Sequence, residues 1–165
     1  DVQMMTYRIM DFNVTLVGTQ KAGEREIFPR EQDEKPVRHE IISEVETDAN
    51  IVLTEFLIPK EEQSAVLHAN ESNGIVGVFD VSSQESFEIL STFLSNAVSE
   101  PMKGGNLLVI GWDSGNEPPE VPVEAISGLT NRTGALYLEA SQEFRKGLDI
   151  MMRRFASNLI RYSEK

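Results

Sequence analysis

Ile75-Val76-Gly77-Val78-Phe79-Asp80-Val81-Ser82-Ser83-Gln84-Glu85-Ser86-Phe87 is the stretch on which the fold turns. With Gly74, its first half is an apolar run of strand length, the composition of a strand buried on both faces. Ser82 or Ser83 then offers a hydroxyl to cap a helix running to about Val98, with Phe87, Leu90, Phe93 and Leu94 on one face. A buried strand feeding an amphipathic helix is half of a βαβ unit, so alternating strands and helices are expected on either side.

Toward the C-terminus, Asn106 to Gly111 reads as the next strand, apolar in its middle. A Pro-rich loop, a helix over Val123 to Thr130 and a short strand over Ala135 to Glu139 follow. The last helix, about Glu143 to Ser163, turns Leu148, Met151, Met152, Phe155, Leu159 and Ile160 to a core. Toward the N-terminus, Phe12 to Val17 is a strand ending at Gly18. Val37 to Glu46 alternates as a half-exposed edge strand, Ile51 to Leu57 is its hairpin partner, and Asp48-Ala49-Asn50 is the turn between them. Glu61 to Asn70 is a short helix. The expected order is β-β-β-α-β-α-β-α-β-α in one domain over residues 1–165, a largely parallel α/β sheet.

The net charge of −12 argues against nucleic acid or an anionic membrane as a partner, since both would be repelled, and makes a basic protein the sharper expectation. No apolar run approaches the ~20 residues of a membrane-spanning helix. With no cysteine there are no disulfides, thiol nucleophiles or thiolate metal sites. Asp1 to Met5 lacks the features of a secretory signal and Arg161 to Lys165 carries no prenylation cysteine, so an intracellular, cytoplasmic setting is expected. Asn13, Asn70 and Asn131 begin glycosylation sequons, but Asn13 falls in an expected core strand and chance accounts for all three.

The stretch from Ile75 to Phe87 resembles the fourth strand and following turn of the Ras superfamily of small GTPases, most of all its Rab and Ras branches. Leu107-Leu108-Val109-Ile110-Gly111 resembles the strand leading to the family's base-specificity motif, and Tyr137-Leu138-Glu139-Ala140-Ser141 its guanine-contacting loop. The motifs stand in family order and spacing from about Phe12 to Tyr162. The resemblance implies a three-layer, P-loop NTPase-like small G-domain: a six-stranded, mostly parallel sheet with one antiparallel edge strand. Pro29 sits where the first helix should run, so that helix is expected to be shortened or absent.

The same alignment shows the nucleotide machinery replaced. Gly18-Thr19-Gln20-Lys21-Ala22-Gly23 keeps both glycines of a phosphate loop, but Glu24 stands at the Lys position and Arg25 at the metal-binding hydroxyl position. A Lys about 4 Å from a phosphate charge contributes roughly 4 kcal/mol at an effective dielectric near 20, and Glu24 inverts the sign. Leu57 replaces the Asp that orders Mg²⁺, and neither Pro59 nor Lys60 supplies the glycine that bonds the γ-phosphate. Trp112, Asp113 and Gly115 stand where Asn, Lys and the guanine-binding Asp belong. Ser141 is kept, followed by Gln142-Glu143 instead of Ala-Lys. Together these losses reach roughly 8–12 kcal/mol, enough to turn tight binding into none.

The expectation is a pseudo-GTPase: no nucleotide, metal or cofactor, no catalytic residue, and a role in protein–protein contact or scaffolding. The expected partner surface lies around Ile58 and Pro59 or at Trp112, which alternatively covers the core where the base would sit. The alternative class is an atypical NTP-binding small GTPase that holds its ligand through Lys21 and backbone groups. An unrelated doubly wound domain of flavodoxin or receiver type is the third reading. His39 on an edge strand and His68 on a helix surface are poorly placed for metal or acid–base work. Asp80 is expected as a turn residue and Gln63 as a helix-surface residue.

Overall fold

The computed structural model describes residues 8–19, 27–28, 37–44, 47–102, 105–143 and 146–163. Five strands run parallel in the order β3-β1-β4-β5-β6: β1 is Arg8–Gly18, β3 Thr47–Leu57, β4 Gly74–Asp80, β5 Leu107–Asp113 and β6 Leu136–Ser141. Val37–Glu44 (β2) lies outside them, its backbone antiparallel to β3. Four helices are described: α1 Glu62–Glu71, α2 Gln84–Ala97, α3 Val123–Thr133 and α4 Lys146–Ser163.

β4 and β5 are buried on both faces because helices cover both. Val14, Leu16, Ile51, Leu53, Val78, Leu108 and Ile110 face α4, packing against Leu148, Met152, Phe155, Leu159 and Ile160. Ile27 and Phe28, between β1 and β2, are buried in this same layer. On the other face, Val17, Ile75, Phe79, Leu107 and Val109 meet Ala65 of α1, Phe87, Leu90, Phe93 and Leu94 of α2, and Leu129 of α3. All four residues expected on the α2 core face are buried. The cap falls to Ser83, whose Oγ accepts from the Ser86 backbone N–H.

Several expected boundaries move by a few residues, and β1, β3, β5 and β6 each come out longer than expected. Asp48, Ala49 and Asn50 are not a turn: they lie inside β3, paired with Ile9, Met10 and Asp11 of β1. Their turn propensity is overridden because β1 reaches back to Arg8 and its backbone groups need partners; Asn50 Nδ2 also donates to Asp11 Oδ1 at 3.0 Å. β5 continues through Trp112 and Asp113, and β6 through Ala140 and Ser141, because these residues pair with each other in register. Asn13 lies in a central strand as expected, but on a face of β1 that is exposed there, together with Asp11 and Ile9. Helical cover on that face begins only at Thr15, beneath α1. The expectation for the first helix falls on residues outside those described.

Gly134 ends α3 at φ +75, and a Cβ there would meet the Met102 carbonyl oxygen at 2.6 Å. Gly115 has a similar φ of +78 but open space around it. A left-handed residue bearing a Cβ costs roughly 1–2 kcal/mol, about 2–4 °C of melting temperature per kcal/mol in a domain of this size. Gly115→Ala should lower the melting temperature by roughly 2–8 °C and Gly134→Ala by about twice as much as Gly115→Ala or more. Equal shifts in a thermal melt would show that the Met102 contact carries no energy.

Candidate functional site

In a parallel α/β sheet the ligand position is the crevice beyond the carboxyl ends of the strands, where the chain order reverses. Here that point is β1, flanked by β3 and β4. Of the residues expected to form a phosphate loop, Gly18 and Thr19 are described; Lys21, Gly23, Glu24 and Arg25 lie outside the described residues. Gly18 is buried and its carbonyl accepts from Ile58 N–H at 3.0 Å, closing β1 against the end of β3.

The segment after β3 is tied down by its own groups. Leu57 N–H donates to Glu61 Oε1 at 2.9 Å, and Glu61 N–H to the Leu57 carbonyl at 2.7 Å. Leu57 thus brings no metal-ordering group, and its backbone donor is taken by a neighbouring carboxylate. Ile58, expected at an exposed partner surface, is instead 3% exposed and packs beside Val17 and Ala65; Pro59 is exposed. Gln63 is exposed on α1, as expected for a helix-surface residue.

The residues expected at the base motif are held by the fold in the same way. Trp112 is 5% exposed and packs in the α4-side core with Ala140 and Leu148. It is therefore an interior residue and no contact surface, because the strand alternation that buries Leu108 and Ile110 carries on through it. Asp113 Oδ1 accepts from Gly115 N–H at 2.9 Å, a local turn that permits the positive φ of Gly115. Ser141 pairs with Asp113 across β6. Tyr137 stands in β6, in the strand expected over Ala135 to Glu139, stacked on Phe79, with its hydroxyl buried and lacking a hydrogen-bond partner among the described residues. Burial, with help from the Glu139 charge, pushes its phenol well above the ordinary value.

Between the ends of β4 and β5, Asp80, Glu85, Glu117 and Glu120 line an open polar cavity of about 470 Å³. Asp80 Oδ1 accepts from Ser82 N–H at 2.8 Å and Ser82 Oγ–H at 2.6 Å, the turn role expected of it. Ser83 Oγ and Glu120 Oε2 take the Ser86 and Gln84 N–H groups at the start of α2. Donors that would receive an anion at a helix start thus face the protein's own oxygens, in a cavity lined by four carboxylates. Among the described residues no group of three or more His, Asp or Glu could hold a metal ion. No helix among them is long and apolar enough to cross a membrane.

Two features carry no signal in the linear sequence. Glu55 sits 3% exposed near the end of β3, opposite Leu16 in register. His68 is not a solvated helix-surface residue: its Nδ1 lies 2.6 Å from Oγ1 of the fully buried Thr15, and its ring packs 5.2 Å from Phe56. Thr15 donates in turn to Ser72 Oγ at 3.0 Å. Helical spacing alone does not show that α1 lays this face over a threonine. The side chain of His39, in β2, lies outside the description. No family model matches the sequence, and no curated protein matches it.

Desolvation holds the His68 pKa below its usual 6.5, opposed in part by the Glu71 carboxylate. The unfolded chain therefore takes up that proton more readily. Stability from this group is full above about pH 6.5 and is lost as pH falls. Melting temperature should drop between about pH 7.5 and pH 5.5, and His68→Gln should flatten that part of the profile. An unchanged profile in the variant would remove His68 as its source.

Proposed function

We propose that this domain is a pseudo-GTPase: a P-loop NTPase-like small G-domain, six-stranded with one antiparallel edge strand, that binds no nucleotide and serves as an intracellular protein-interaction or scaffold module. The observation that carries the reading is the state of the groups at the carboxyl edge of the sheet. The Leu57, Ile58 and Gly115 N–H groups and the Asp113 carboxylate are bonded internally, and Trp112 is packed in the core. The described charges nearby are mainly carboxylates, the wrong sign for phosphate. Glu24 and Arg25, at the phosphate-loop positions, add the same argument from sequence. The parallel sheet with β1 at its switch point supports the family's architecture, and folds of this kind serve many functions through what is grafted on them.

The test is thermal melting with GTP, GDP or ATP, with and without Mg²⁺. A ligand at about 100 times its dissociation constant adds about 2.7 kcal/mol, a shift of several degrees. No shift is expected at millimolar nucleotide; a clear shift with GTP and Mg²⁺ would overturn the proposal in favour of an atypical NTP-binding protein.

A further inference from the structure

The end of β3 and the helices α1 and α2 enclose a groove that the nucleotide site does not account for. It consists of two adjoining cavities, of about 360 Å³ and about 220 Å³, with Pro59, Glu85 and Ile89 in the wall of both. Its apolar lining comes from Leu57, Pro59 and Ile89, of which Pro59 is exposed and the others partly so. Buried Ile58 lies in the wall, so the groove opens directly on the α1–α2 side of the core. On its rim, Glu85 and Glu88 stand one turn apart on α2, with Glu62 across from them on α1. Glu85 and Glu88 are exposed. Among the lining residues Lys60 is the one cation, and it belongs to the larger cavity alone.

We propose that this groove docks a basic amphipathic helix of a protein partner, apolar side chains seated on Leu57, Pro59 and Ile89 and Lys or Arg residues paired with Glu62, Glu85 and Glu88. The inference rests on the interaction-module reading and names its surface and partner chemistry. Apolar residues at helical spacing are what a groove between two helices accepts. The one-turn spacing of Glu85 and Glu88 suits cations three or four residues apart on such a helix. Charge selects the same occupant. A nucleotide, an acidic peptide or an anionic membrane surface would meet three carboxylates, whereas a cationic segment is steered in by them and by the net charge of the whole domain. Arg153, Arg154 and Arg161 lie on α4, across the sheet from this groove.

The experiment is fluorescence anisotropy with a labelled synthetic peptide of about fifteen residues, Leu and Lys placed at amphipathic helical spacing. Controls are the Leu/Glu peptide of the same pattern and a Leu/Lys peptide of scrambled order. The expected result is saturable binding of the amphipathic Leu/Lys peptide alone. Glu85→Lys with Glu88→Lys should weaken it about tenfold, while Glu100→Lys with Glu143→Lys, equal in charge change and away from the groove, should shift it by less than about threefold. Ile89→Ser should weaken it at unchanged net charge; if that variant does not fold by circular dichroism, the charge pairs decide. No binding, equal binding of the scrambled peptide, or equal loss in both double variants would overturn the groove. Repeating the titration with GTP and Mg²⁺, beside the melting assay, separates the two readings. A GTP-induced melting shift counts against the nucleotide-free module, and loss of peptide binding without such a shift counts against the groove alone.

Discussion

β1 is hydrogen-bonded along one edge to β3 from Arg8 to Gly18 and along the other to β4 from Val14 to Gly18. Everything else in the protein is arranged around that double pairing. Because side chains alternate across a strand, it sends Val14 and Leu16 into the α4 layer, and Thr15 and Val17 into the layer of α1, α2 and α3. A one-residue slip would exchange these sets, placing the Thr15 hydroxyl among aliphatic side chains and leaving His68 without it. The same pairing brings Gly18 to the point where the chain order reverses, with Leu57 and Val78 beside it in register.

What occupies that point is a set of contacts the chain makes with itself. Glu61 reaches back to Leu57, Gly18 receives Ile58, Asp80 closes on Ser82, and Asp113 closes on Gly115. Each is a modest interaction, about 1 kcal/mol net for a typical hydrogen bond and somewhat more with a carboxylate. Their collective effect is larger, because a ligand would have to replace several of them while approaching carboxylates. Among the described residues, several groups at this edge are already paired within the chain. The open surface lies instead to the side, between α1 and α2, where Pro59 and Ile89 are left uncovered.

The sheet and the core faces of the helices were legible in the linear sequence, and for a physical reason. β4 and β5 are buried on both faces and so are written almost wholly in apolar residues, while α2 and α4 bury one face and keep the helical period. Errors gathered at strand ends. Asp48 to Asn50, Trp112, Asp113, Ala140 and Ser141 look like turn or loop residues locally, yet neighbouring strands supply backbone partners that hold them extended. No local propensity contains that information, because the partner residues are tens of positions away.

The candidate site divides along the same line. Sequence alone determined the chemistry that individual residues bring: Leu57, Trp112 and Gly115 carry no carboxylate and no cation wherever they lie. Only the tertiary structure decided where they lie. It buried Ile58 and Trp112, spent Asp113 and Glu61 on backbone amides, and brought His68 onto Thr15. Chemical identity belongs to one residue and can be read singly. Burial and hydrogen bonding belong to pairs set by the packing of α1 and α4 on opposite faces of β1, and exist only once the sheet has formed.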